Sequence, residues 1–158
     1  MTENYLNILE ESLEKKLQVM AKIQEYSLLQ QEIFQSQDAD LEKFDECVDK
    51  KDRFLTELTA LDSGFETLYQ NVAEELQDNR EKYAEQIRRL QELVTKVTES
   101  SVAIQAQEAR NKKLVEDYFR RQREGIAKNR RSSKAAYDYY KGMSSSGGET
   151  SMLYDNKQ

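Results

Sequence analysis

The sequence predicts an all-α protein: an elongated antiparallel bundle or coiled coil of three helices, with a very long C-terminal helix and a flexible C-terminal tail. The 158 residues include no Pro and only five Gly, so few positions force a helix to end. Apolar residues recur every three or four positions, as on a helix with one buried face. Charged residues make up 34% of the chain, which leaves only a thin core. We expect a bundle over 1–131, with helices at about 3–35, 40–76 and 79–131, and a tail over 132–158.

The first helix is predicted from one regular apolar stripe. Charged residues such as Glu10 and Lys15 fall between its members, so one face is buried. After Ile23 the stripe loosens and Gln30 and Gln31 interrupt it, and we expect this end of the helix to be covered on more than one side. The stripe consists of Leu6, Leu9, Leu13, Leu17, Met20 and Ile23.

The second helix follows a polar turn over 36–40, where Ser36, Asp38 or Asp40 can cap its first turn. Its stripe continues across Gly64, which favours one kinked helix over two. The stripe consists of Leu41, Phe44, Val48, Leu55, Leu58, Phe65, Leu68 and Val72.

The third helix is predicted to start at a capping signal over 78–81. It then carries a heptad seam, with alternating steps of four and three, that is typical of a coiled-coil interface. Two seam positions, Glu108 and Asn111, are polar, so we expect the helix to leave the bundle there and offer this surface to a partner. The predicted seam consists of Tyr83, Ile87, Leu90, Val94, Val97, Ser101, Ile104, Glu108, Asn111, Val115 and Tyr118.

Charge is distributed unevenly along the chain. Residues 1–109 hold 24 carboxylates against 12 basic residues, a net charge of −12, whereas 110–134 hold ten Lys or Arg against three carboxylates, a net charge of +7. This basic arm, with Tyr118 and Phe119 inside it, leaves open a nucleic-acid or anionic-surface binder. The acidic remainder would repel a polyanion and no nucleic-acid motif is present, which favours a protein partner.

Composition excludes most catalytic chemistry. Without His and with a single Cys, the chain has no triad, no disulfide and no thiolate metal cluster. Cys47 lies beside Val48 on the apolar side of its helix, where a packed thiol is expected. The carboxylates lie on polar helix faces, and no glycine loop has nucleotide-binding spacing. We therefore expect no enzymatic activity, no small-molecule substrate, no cofactor, no metal site, no membrane span and a cytoplasmic location.

Residues Ser101 to Leu114 resemble the signature region of the bacterial flagellar export chaperones of the FlgN type. In that family a Gln and an Asn lie four apart on a long C-terminal helix, as Gln107 and Asn111 do here, with aliphatic residues beside them. Leu153 and Tyr154 are similar to the family's short tail motif, which contains a tyrosine. The matching aliphatic residues are Ile104, Leu114 and Val115.

The resemblance implies a cytoplasmic chaperone for the flagellar hook-filament junction proteins, also called hook-associated proteins. Its C-terminal helix binds their amphipathic terminal helices, prevents premature assembly and delivers them to the cytoplasmic domain of the type III export gate. Tyr154 with Leu153 is the first candidate for docking on that gate, and Tyr137, Tyr139 and Tyr140 are the second. The candidate cargo-binding residues are Ile104, Gln107, Glu108, Asn111, Leu114, Val115, Tyr118 and Phe119.

The residues alone leave one further alternative. A sustained heptad seam also fits a structural protein that associates with itself as a coiled coil. Such a protein would form oligomers without cargo, whereas a chaperone would form a stable complex with its cargo.

Overall fold

The structure is a computed structural model that describes the backbone of residues 2–144 and the side chains of residues 2–126. It contains three helices: α1 (Thr2–Gln35), α2 (Leu41–Asp78) and α3 (Ala84–Ser144). No strand occurs among residues 2–144. The predicted all-α three-helix class is therefore confirmed.

The turn between α1 and α2 and the course of α2 follow the sequence prediction. Of the three candidate N-cap residues, Asp40 caps α2: its side chain accepts a hydrogen bond from the backbone N–H of Lys43 at 3.2 Å. This contact satisfies one of the free donors of the first helical turn. The helix then continues through Gly64 without a break.

The bounds of α3 differ from the prediction at both ends. Asn79 does not open α3 but closes α2, since its backbone N–H and its side-chain amide both donate to the carbonyl oxygen of Glu75. The chain then turns over 79–83 before α3 begins at Ala84. At the other end α3 does not stop at about 131: the backbone is helical to Ser144, across the position where the tail is predicted to begin.

The chain divides into two units, Met1–Leu114 and Val115–Gln158. In the first unit α2 runs antiparallel to α1: Thr2 hydrogen-bonds Glu75 at one end, and the rings of Phe34 and Phe44 meet edge to face at 4.9 Å at the other. The third helix runs parallel to α1. Its Arg89 contacts Glu10 at 2.9 Å, and further along Asn111 contacts Ser27.

The buried face of α1 is regular along the whole helix. It extends beyond Ile23 through Ser27, Gln30 and Phe34, still in steps of three and four. The stripe thus changes from apolar to polar and back without losing its period, whereas Leu28 and Leu29 are exposed. The prediction that this end of α1 is covered on more than one side is wrong for Leu28 and Leu29, because they lie off the buried face.

The inner face of α3 differs from the predicted seam at two positions. Leu93 is buried (2% exposed), whereas Val94, the predicted seam residue, is 46% exposed. Likewise Gln107 is buried and Glu108 only half-buried. Residues 93 and 94 are both apolar, and residues 107 and 108 are both polar. Either member of each pair fits the heptad, so packing against α1 and α2 decides which one is buried.

A buried apolar cluster lies at one end of the first unit. Ile87 and Leu90 of α3 lie against a buried cluster there and join it to the third helix. The cluster consists of Leu6, Leu9, Val72, Leu76 and Tyr83.

Candidate helix-binding surfaces

Polar side chains from all three helices meet in the first unit where α1 approaches its C-terminal end. They are buried or half-buried, and the three helices contribute to one hydrogen-bonded group. No buried side-chain nitrogen or oxygen in the part of the chain with described side chains lacks a partner. We call this group the polar layer: Ser27 and Gln30 of α1, Lys51 of α2, and Gln107, Glu108 and Asn111 of α3.

Lys51 is the charged centre of the polar layer. Its side chain is 10% exposed, and Nζ donates to Oε1 of Gln30 at 2.8 Å and to the carboxylate of Glu108. The same carboxylate oxygen accepts from the hydroxyl of Ser27 at 2.7 Å. A buried ammonium is tolerated only with such partners, because its desolvation cost is high.

The Gln and Asn that resemble the chaperone signature form a second chain of hydrogen bonds. Nε2 of Gln107 donates to Oδ1 of Asn111 at 3.0 Å and to Oε1 of Gln31 at 2.7 Å. Nδ2 of Asn111 donates to the carbonyl oxygen of Ser27 at 2.7 Å. Both residues are 5% exposed, so α1 covers the pair.

The other candidate cargo residues have different surroundings. Ile104 and Leu114, in the first unit, are half-buried. In the second unit Val115 is half-buried, Tyr118 is 8% exposed and Phe119 is 39% exposed, with the two rings edge to face at 5.4 Å.

The tyrosines proposed for gate docking are not placed by the structure. Leu153 and Tyr154 lie outside the described residues. Tyr137, Tyr139 and Tyr140 fall on the backbone of α3, but their side chains also lie outside the described part of the chain. Both choices stay predictions from the sequence.

Sequence reasoning missed Ser27, Gln30 and Lys51 as members of a site. A signal was present: Ser27 and Gln30 continue the three-and-four spacing of the α1 stripe, which marks them as inward-facing. Lys51 also fits the spacing of the α2 stripe, three residues after Val48 and four before Leu55, but a lysine at a helical position is usually solvated.

A groove of about 890 Å³ lies between α2 and α3 in the first unit and was also missed. Its floor is formed by Leu76, Ile87 and Leu90, next to the apolar cluster. Tyr69 and Val94 stand on its walls, 47% and 46% exposed. Two adjacent apolar residues at 93 and 94 were the signal for this groove in the sequence. Leu93 faces the core and Val94 faces the groove.

Two arginines line the groove. Neither Arg80 nor Arg88 forms an ion pair or a hydrogen bond through its side chain within residues 2–126, and both are exposed. The next residue, Arg89, is by contrast bound to Glu10 and Glu14 of α1, and the hydrogen bond to Glu10 raises the pKa of its guanidinium.

Cys, Asp and Glu are the potential metal ligands in the described part of the chain. Among those residues no group of three or more His, Cys, Asp or Glu is placed to hold a metal ion. Cys47 is buried, and this burial raises the pKa of its thiol above the ordinary value of 9.0, although the charge of Lys51 acts in the other direction. A buried thiol with a raised pKa is a poor nucleophile. The described helices contain no stretch that is both long enough and apolar enough to cross a membrane.

No family model, curated protein or solved structure matches this chain. Its function is therefore inferred from its own residues and contacts.

Proposed function

We propose that this protein is an export chaperone that captures an amphipathic helix of a client protein by packing it against α3. The clients are the flagellar hook-filament junction proteins, which the chaperone keeps from assembling and delivers to the export gate. The resemblance of residues 101–114 to the FlgN-type signature supports the client class. The polar layer is the single observation that supports the mechanism.

The polar layer makes the contact between α1 and α3 exchangeable. A hydrogen bond in a protein contributes only about 0.5–1.5 kcal/mol net, because water replaces it when the partners separate. The bonds from Asn111 to Ser27 and from Gln107 to Gln31 hold the end of α1 on α3. The contacts that break here are hydrogen bonds that water can replace, so a client helix can take the place of α1 at modest cost.

The same layer limits how tightly a client binds. Half-buried Ile104 and Leu114 on either side of the Gln107 and Asn111 pair supply apolar contact for the client's stripe. The polar pair between them fixes the register of the client helix and lowers its affinity. A chaperone that must release its client at the export gate needs this combination.

Titration calorimetry with a purified junction protein tests the proposal. Leu114→Asp puts a charge into the client interface and is expected to weaken binding at least about tenfold, or about 1.4 kcal/mol. Val102→Asp is the matched control, because Val102 lies on α3 but is 61% exposed. Both variants must keep the helical circular dichroism of the parent. Equal affinities of parent and Leu114→Asp would refute the proposal.

A second variant tests whether the client displaces α1. Gln31→Ala removes the side-chain oxygen of α1 that accepts from Gln107 and leaves the client surface of α3 unchanged, which lowers the cost of separating α1 from α3. This variant is expected to melt at a lower temperature and to bind the junction protein more tightly. Unchanged or weaker binding, together with a lower melting temperature, would show that α1 stays in place.

The self-associating coiled coil is the alternative function. It requires that the parent form oligomers without a client, which sedimentation equilibrium of the chain alone measures. A stable oligomer that a junction protein does not dissociate would favour this alternative.

A further inference from the structure

The groove between α2 and α3 has the form of a binding site for one helix. It is lined by α2 between Phe65 and Gln77 and by α3 between Ala84 and Thr95. At 1.5 Å per residue the α3 wall is about 17 Å long, close to three helical turns. Apolar side chains form its floor and walls, and such a lining accepts the i, i+3, i+4 and i+7 side chains of an amphipathic helix.

The charge of the groove defines its occupant further. Its lining includes Arg80 and Arg88 and no carboxylate, although residues 1–109 carry a net charge of −12. Neither arginine forms a side-chain ion pair or hydrogen bond with the residues whose side chains are described, whereas neighbouring Arg89 binds two carboxylates of α1. Two exposed arginines beside an apolar floor complement a helix with acidic residues beside its apolar stripe.

We propose that this groove binds an acidic amphipathic helix of about three turns from another protein. The site is separate from the client surface on α3 between Ile104 and Leu114, and the proposal does not depend on client capture there. A symmetric dimer through this groove fits poorly, because two identical grooves face to face would bring four arginines into one interface. Both surfaces would also be concave and would leave the floors uncovered.

A pair of synthetic peptides tests the proposal on the full-length protein. Each is a hydrocarbon-stapled helix of about 12 residues with leucines at i, i+3, i+4 and i+7, one with glutamates beside this stripe and the other with lysines. Fluorescence anisotropy at about 50 mM salt measures both affinities. The acidic peptide is expected to bind about 5- to 30-fold more tightly, since each exposed charge pair contributes a few-fold. Equal affinities, or no binding of the acidic peptide, would overturn the proposal.

Variants locate the bound peptide. Val94→Asp and, separately, Tyr69→Gln are expected to weaken the acidic peptide at least about tenfold, whereas Val102→Asp, the control outside the groove, leaves its affinity unchanged. The double variant Arg80→Glu with Arg88→Glu is expected to reverse the preference between the two peptides. Unchanged binding in both single groove variants, or an unchanged preference in the double variant, would place the peptide elsewhere.

Two further measurements distinguish binding in the groove from client capture on α3 and from self-association. Leu114→Asp is expected to leave binding of the acidic peptide unchanged, so that failure of client capture and failure of the groove proposal are distinguishable. Sedimentation equilibrium of the parent and of Val94→Asp is expected to give the same molecular mass. An oligomer that Val94→Asp dissociates would show that a second copy occupies the groove and would overturn the proposal.

Discussion

The ion pair in the polar layer leads to an asymmetric prediction for its two partners. The ammonium of Lys51 is nearly buried, whereas the side chain of Glu108 is 43% exposed. Removing the carboxylate leaves a buried cation with only the amide oxygen of Gln30 at 2.8 Å. Removing the cation leaves a carboxylate that water already reaches. The two truncations should therefore differ in cost.

The expected loss for Glu108→Ala is about 2 kcal/mol. Breaking a fully buried pair by removing one partner costs about 3–5 kcal/mol, and partial access of water on the Glu108 side lowers this figure. The hydroxyl of Ser27 also loses its acceptor, but a helical serine can turn its proton to a carbonyl oxygen of the preceding turn. This rearrangement keeps the additional loss small.

Lys51→Met is expected to change the free energy of unfolding by less than about 1 kcal/mol. Methionine matches the length of the lysine stem and gains from burial, which offsets the lost contacts to Gln30 and Glu108. In the double variant, Lys51→Met with Glu108→Ala, no unpaired cation remains in the layer. It is therefore expected to be more stable than Glu108→Ala alone, by about 1–2 kcal/mol, despite carrying one more substitution.

Urea denaturation followed by circular dichroism measures all four proteins. A loss of 2 kcal/mol corresponds to a fall of about 1 M in the midpoint for a slope of about 2 kcal/mol/M. Glu25→Ala is the control, because Glu25 pairs with Lys22 on the surface and its removal should have no measurable effect. A double variant less stable than Glu108→Ala would refute the reasoning about the buried cation.

Three further predictions concern single positions in the first unit. Gly64→Ala is expected to stabilise the protein by about 0.5–1 kcal/mol, because a Cβ at this helical position meets no atom within 4 Å; a melting temperature at or below that of the parent would contradict this. Leu93→Ala is expected to lower the free energy of unfolding by about 2–5 kcal/mol and Val94→Ala by less than about 0.5 kcal/mol, both measured by urea denaturation. The opposite order would show that Val94, as the sequence predicts, is the buried residue. Because the pKa of Cys47 is raised in the folded state, the proton stays bound there to higher pH than in the unfolded chain, and the free energy of unfolding falls as the pH rises above about 9. Cys47→Ala should show a smaller fall between pH 8 and pH 10, and an equal fall would show that the thiol does not contribute.

Periodicity predicted the fold class and the three helices, because a helical stripe depends only on neighbours three and four residues away. It placed α3 one position off in part of its seam, since adjacent residues such as Leu93 and Val94 are both apolar and the choice between them depends on another helix. The polar layer was half predicted. Asn111 lies on the seam and was recognised, whereas Lys51 becomes a site residue only because Gln30 and Glu108 meet it across three helices.

The apolar cluster around Leu9 and the polar layer are built from different interactions, and this difference connects the fold to the proposed function. At one end hydrocarbon from all three helices is buried around Leu9, and its exposure would cost about 25 cal/mol for each Å². About 27 Å along α1, at Ser27, the three helices meet through hydrogen bonds that water can replace. In the proposed mechanism α1 separates from α3 at the polar layer, while the apolar cluster around Leu9 keeps the three helices joined. A bundle that was apolar throughout would have to unfold to offer the same surface.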